Sequence, residues 1–130
     1  MLAIAVVASC SRQTPASTAS LDGNWTGFDA GQPTEKCTLA ITGTQFNYHG
    51  AQSNDWCRGT FTLNEQTQPK QMDMTVQEIS APEYVGKTVL VVYELNGDEL
   101  KVAAAEPGKN MRPARMAGEQ GVRVFSFKRD

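Results

Sequence analysis

From residue 36 onward, short stretches of this chain alternate apolar and polar side chains, and a period of two describes a strand with one buried face, not a helix. Cys37, Leu39 and Ile41 alternate with Lys36, Thr38 and Thr42. Met72, Met74 and Val76 alternate with Gln71, Asp73, Thr75 and Gln77. Further strands are expected at 23–28, 45–49, 56–63, 87–95, 98–105 and 122–129, bounded by Gly, Pro, Asn and Asp. With the two alternating stretches this makes eight.

Asn96-Gly97, between Val91–Leu95 and Asp98–Val102, carries the strongest hairpin signal, because both residues tolerate the positive φ of a type I′ turn. Gly43-Thr44 likewise joins Ile41 to Phe46. No long window keeps a 3.6-residue apolar repeat, so crossover helices are absent from the expectation and the sheet reads as antiparallel. The resulting fold class is all-β, an eight-stranded antiparallel up-and-down barrel. A two-sheet sandwich of the same strands is the alternative. A barrel of this size is either filled by side chains or holds one small ligand. The bulk of Trp25, Phe46, Tyr48, Trp56, Phe61, Met72, Met74, Tyr93, Phe125 and Phe127 predicts a filled one.

At the N-terminus, Val7-Ala8-Ser9-Cys10 follows an apolar stretch and resembles the lipobox of bacterial lipoproteins. That resemblance implies that residues 1–9 are a signal peptide and that Cys10 becomes a lipidated N-terminus. A trimmed secretory signal with an incidental Cys is the other reading. Only nine residues precede Cys10 and none is charged, short for a secretory signal, which leaves room for a start codon upstream. Nine residues cannot span a bilayer, which takes about 20, so the anchor would be lipid, and two acyl chains hold a protein stably. Residues 10–20 then form the lipidated Cys and a flexible Ser/Thr-rich tether, and 21–130 form the barrel domain. Ser11 after the Cys, instead of Asp, resembles lipoproteins released to the outer membrane. The expected location is therefore exported: the bacterial outer membrane or cell envelope, lipid-anchored, on a periplasmic or surface face.

The net charge of −2 offers no surface for polyphosphate, so nucleic acid is not expected as a partner. With Cys10 taken by lipid, Cys37 and Cys57 remain as an even pair in an oxidising compartment, where they read as a disulfide. Two buried free thiols are the alternative. A metal site is disfavoured because His49 is the single histidine and no CxxC spacing occurs. His49 reads as an ordinary hairpin residue, and Asp22, Asp29, Asp55, Asp73 and Asp98 mostly as turn residues. No catalytic constellation emerges, so the chain is read as a monomeric non-enzyme without a cofactor.

The stretch 106–121 is long for a hairpin loop, and loops of that kind tend to be functional or disordered. Lys109, Arg112 and Arg115 beside Met111 and Met116 could form a basic, adaptable rim for a ligand or partner. The plainer reading is a solvated loop whose Arg112 bonds to backbone carbonyls.

Leu21-Asp22-Gly23-Asn24-Trp25, Gly59–Leu63 with Pro69–Asp73, Gly86-Lys87-Thr88 leading into Tyr93–Lys101, Pro107-Gly108 and Arg112-Pro113 occur in an order that resembles an uncharacterised lipocalin-like domain family abundant in planctomycete-type bacteria. The resemblance covers residues 21–129 and implies a lipocalin-like barrel on an exported protein, without an established activity. Met116 departs from it, since the family tends to an aromatic there, and the Cys37/Cys57 pair is not one of its hallmarks. By analogy with lipocalins, Trp25 of Gly23-x-Trp25 would lie across the barrel floor with Arg129 covering its ring. Two functions follow: a surface-anchored module that binds a small apolar or amphipathic ligand or a protein, or a structural or inhibitory lipoprotein that blocks another protein through the 106–121 loop and holds no ligand. An apolar cavity would favour the first, and a filled barrel with a protruding loop the second.

Overall fold

The computed structural model describes residues 20–130. Residues 1–19, with the expected signal peptide, Cys10 and most of the tether, lie outside the described residues.

Eight strands follow one another: β1 (Gly23–Asp29), β2 (Gln32–Thr42), β3 (Gln45–His49), β4 (Trp56–Asn64), β5 (Lys70–Ile79), β6 (Thr88–Asn96), β7 (Glu99–Ala105) and β8 (Val122–Arg129). Each pairs antiparallel with the next, and β8 returns to β1, closing the barrel. The closing register runs from Trp25 opposite Arg129 to Asp29 opposite Phe125. This pairing rules out the sandwich, since it leaves the sheet without a free edge.

Strand β2 begins at Gln32, earlier than the apolar alternation suggested. Its first residues are polar and exposed, and what extends it is a turn at Ala30-Gly31, where the Gly31 N–H donates to Asp29 Oδ1 at 2.8 Å. Bulges interrupt the ladders at Phe28/Asp29 and Arg58/Gly59, bending those strands as closure demands.

Up-and-down connectivity sorts the loops between two ends. One end collects the start of β1, the Gly43-Thr44 and Asn96-Gly97 hairpins, the 65–69 loop and the end of β8. The other collects the Ala30-Gly31 turn, the 50–55 loop, the 3-10 turn at Pro82–Tyr84 and the 106–121 segment. Both hairpin glycines adopt φ of 62°, the left-handed region that these tight turns require.

The first end is packed shut. Trp25 is wholly buried, Tyr93 and Leu100 almost so, and Leu21 lies against them. The Trp25 Nε1–H donates to the Leu21 carbonyl at 2.9 Å, which satisfies the indole inside the core. Toward the other end the inward positions carry small side chains: Gly27, Cys37, Cys57, Gly59 and Ala104. The barrel is therefore packed shut at one end and not filled throughout, contrary to the expectation from residue types alone.

The expected disulfide is absent: Cys37 and Cys57 are both free thiols. Cys57 faces Tyr48, which in turn faces Leu39, so strand β3 lies between the two cysteines. Two strand spacings amount to about 9–10 Å, whereas bridged Cα atoms sit about 4.4–6.8 Å apart. The even cysteine count suggested the pairing, but strand 45–49, itself expected from sequence, separates the two thiols.

Candidate functional site

An apolar cavity of about 490 Å³, with Cys57 and Ala104 among its lining, opens between the 50–55 loop, the Pro82–Tyr84 turn and the start of β8. Its deeper wall includes Ile41, Phe46, Met72, Leu100 and Phe127, and its upper wall includes Tyr48, Cys57 and Ala104. The volume lies within the range of about 300–1,000 Å³ usual for small-molecule sites, which combine apolar walls with a few polar groups.

Those polar groups gather around Arg123. Residues 123, 125, 127 and 129 share the inward face of β8, so Arg123 projects into the mouth and Arg129 into the opposite end. Arg123 Nε donates to Asp29 Oδ2 at 2.9 Å, Nη1 to Asp55 Oδ1 at 3.2 Å, and Nη2 to Asp55 Oδ2 at 3.0 Å and to the Tyr48 hydroxyl at 3.2 Å. The guanidinium also lies 4.9 Å from the Phe125 ring centre and 5.8 Å from that of Tyr48. Burial by itself would lower the Arg123 pKa, but the bonds from Asp55 and Asp29 outweigh it and the net shift is upward. The Tyr48 phenol is pushed up, chiefly by burial.

Asp55 reaches this position because Gly50 has no side chain. A Cβ at Gly50 would stand 2.0 Å from Asp55 Oδ2 and 2.9 Å from the Tyr48 oxygen, a clash no small shift relieves. The loop between them is closed by Gly50 N–H donating to the Asp55 carbonyl at 2.6 Å and Asp55 N–H to the Gln52 carbonyl at 3.0 Å. Ser80 Oγ–H donates to the Asn54 carbonyl at 2.5 Å, tying the loop to the neighbouring rim.

The thiols of Cys37 and Cys57 point into the same half of the barrel. Each pKa is pushed up to about 11, by burial first and then by the carboxylates of Asp29 and Asp55 respectively. Neutral thiols with such values are poor nucleophiles; Cys57 serves as apolar wall of the cavity, and Cys37 is buried in the core.

The other residues singled out from sequence are distributed as follows. Arg129 covers Trp25 at 4.3 Å from guanidinium carbon to ring centre, inside the roughly 6 Å reach of a cation–π contact. Gly23 makes that approach possible: its φ is 137°, and a Cβ there would sit 3.3 Å from Arg129 Nη1. Arg129 Nε donates to Asp98 Oδ1 at 2.9 Å and Nη2 to the Ser20 carbonyl at 3.2 Å, and Nη1 bonds the Asp22 carbonyl.

The residues proposed for a basic rim are dispersed. Arg112 bonds the carbonyls of Met72 at 3.2 Å and Val91 at 2.9 Å, and Asp73 Oδ1 at 2.5 Å. This is the plainer of the two readings. It draws the 106–121 segment against the outside of β5 and β6, where Pro113 is buried and the outward-facing pair Val92 and Ala103 is 2% and 0% exposed. Met116 is half-buried against the core, Lys109 and Arg115 are exposed, and Met111 is 79% exposed. None of the five lines the cavity. His49 is exposed at the end of β3.

Sequence reasoning missed Arg123, Tyr48 and Asp55 as a group. A signal existed: Arg123 interrupts an otherwise apolar inward face that continues through Phe125 and Phe127. Among the described residues, no group of three or more His, Cys, Asp or Glu side chains is arranged to hold a metal ion. No family model, characterised protein or solved structure matches the chain.

Proposed function

We propose that this chain is an exported, lipid-anchored binding protein of the bacterial cell envelope that holds one small apolar or amphipathic molecule in its barrel. The observation that carries the reading is the open cavity of about 490 Å³, walled mainly by apolar side chains and ringed by a few polar ones. Evolving toward stability alone would favour filling such a space, because each void forgoes packing energy. The membership in a lipocalin-like family and the lipidation of Cys10 belong to the same proposal and rest on the sequence resemblances.

The fold supports the anchored arrangement in one respect. β1 enters at the closed end, so the chain preceding Ser20 departs from there and the mouth opens on the opposite end. A barrel tethered to a bilayer through that segment would present its mouth away from the surface. The alternative of a cleft-blocking loop gains less support, since Arg112 bonds the middle of the 106–121 segment to the barrel wall.

Native mass spectrometry of the detergent-solubilised mature protein, paired with titration of an apolar fluorescent dye, tests the binding role. A retained small-molecule adduct or saturable dye binding is expected, and Ala104→Trp, which puts an indole into the upper cavity, should abolish either. Dye binding that Ala104→Trp leaves unchanged would remove the cavity as the site. For the anchor, Cys10→Ser should move the protein from the membrane to the soluble periplasmic fraction of a bacterial host, and unchanged fractionation would sink lipidation at Cys10.

A further inference from the structure

An apolar cavity accepts the hydrocarbon part of many molecules, so selection falls to the charges at its mouth. Among the residues lining the cavity, Arg123 is the single cation, while Asp55 and Glu106 bring two carboxylates. Arg123 is already engaged by two carboxylates and a phenol, with one Nη1 N–H left over. Its Nε, Nη1 and Nη2 donate to Asp29, Asp55 and the Tyr48 hydroxyl, and Nη2 also stands 2.8 Å from Asp29 Oδ2. Two carboxylates therefore face one guanidinium, and the group as a whole carries negative charge. Glu106 adds to it: among the described residues no cation lies within ion-pair distance of its carboxylate, which stands beside Gly121 on the rim. Lys87, the basic residue of the 80–87 rim, is exposed and lies with its aliphatic stem against Gly108, outside the cavity lining.

A carboxylate head entering this mouth would meet Asp55 and Glu106 without a free cation to receive it. A hydroxyl or ammonium head would find acceptors in the same two side chains, with unused lone pairs on each. Like charges brought together at a partly desolvated site repel strongly, and this kind of repulsion is how binding sites reject wrong ligands. Resting on the binding role proposed above, we infer that the cavity takes an apolar molecule whose polar end donates hydrogen bonds and bears no negative charge, an alcohol or amine and not a fatty-acid-like anion.

Three probes with the same chain and different heads test this directly: decanol, decylamine and decanoate, each competing with an apolar fluorescent dye on the wild-type barrel domain at neutral pH and low salt. Decanol and decylamine should displace the dye at concentrations at least about tenfold below decanoate, a ratio that corresponds to about 1.4 kcal/mol. Raising the salt should narrow the amine-to-carboxylate gap, because exposed charges at the rim are screened. Glu106→Gln, which removes the charge and keeps an acceptor oxygen, should narrow it severalfold, and with no ion pair to lose it should fold as the parent does. Decanoate binding as tightly as decylamine would overturn the head-group inference and leave the cavity reading standing. A gap that neither salt nor Glu106→Gln alters would also overturn it. Failure of the dye and all three probes to bind would overturn the binding role itself.

Discussion

The two ends of the barrel are each organised around an arginine on the same face of β8, and they use it in opposite ways. At the closed end Arg129 sits over a wholly buried Trp25, bonds one carboxylate and two backbone carbonyls, and completes a packed floor. At the open end Arg123 spans two carboxylates and a phenol above an unfilled cavity. The difference lies in what the facing strands supply. Opposite the floor stand large side chains such as Trp25, Tyr93 and Leu100; the mouth is lined by smaller ones such as Cys57 and Ala104. Similar cations thus close one end by packing and hold the other open by crosslinking its rim.

If that division is correct, truncation at the floor should have the largest effect on stability. Trp25→Ala removes the largest fully buried side chain of the core and should cost roughly 3–5 kcal/mol, as buried aromatic truncations do. Urea unfolding of the barrel domain measures it directly. A loss near that of an exposed residue would mean that the floor is not the centre of the fold.

At the mouth a smaller effect is expected, and it should be local. Arg123→Gln leaves Asp29 and Asp55 facing each other without their shared cation. Because the Arg123 side chain is 44% exposed, the global loss should be only about 1–2 kcal/mol, between the values for exposed and buried pairs. Amide hydrogen exchange in the 50–55 loop should accelerate more than that global loss explains, while the floor keeps its protection. Uniform acceleration in both ends would erase the proposed contrast.

The architecture was legible because it depends on periodicity and turn residues, which are local. Eight strands form in the expected order, β2 alone starting well ahead of its alternation, and Gly23, Trp25 and Arg129 meet because closure of an even-stranded antiparallel barrel brings the end of the last strand beside the start of the first. What was illegible depends on height along the barrel axis. A count of aromatic residues predicts a filled interior; knowing that small residues cluster at one level requires the registers. The disulfide failed for the same reason, since two cysteines can point to one end and still be separated by a strand. Arg123 and Asp55 are 68 residues apart, and nothing local in either segment announces the other.

The stacked pair at the floor sharpens the comparison on a finer scale. Arg129→Ala should cost about 0.5–2 kcal/mol through the lost cation–π contact. In a double-mutant cycle with Trp25→Phe, the two losses should fall short of additivity, as contacting residues do. Strict additivity would make Arg129 a partner of Asp98 and the backbone alone, leaving the indole to pack unaided.

A last effect should appear only in alkali, and it belongs to the mouth half. In the unfolded chain Cys37 and Cys57 ionise near their ordinary value of 9.0, whereas in the barrel burial, with Asp29 near Cys37 and Asp55 near Cys57, holds each thiol neutral until about pH 11. A folded-state value above the unfolded one means that the stabilisation is fully present below about pH 9 and is lost as the pH rises from 9 to 11, because the unfolded chain releases its protons first. Tyr93, pushed up to about 12 by burial and then by Glu65, prolongs the decline above the ordinary tyrosine value of 10.0. Urea midpoints at about pH 8, 9 and 10 isolate the thiols, since phenol ionisation contributes little until the top of that range. The midpoint should fall between the second and third of these, and the Cys37→Ala/Cys57→Ala double variant, less stable throughout for want of packing, should show a flatter profile. An equally steep fall without the thiols would assign the alkaline loss to tyrosines at both ends, and the cysteines would then contribute only their packing to the mouth half of the barrel.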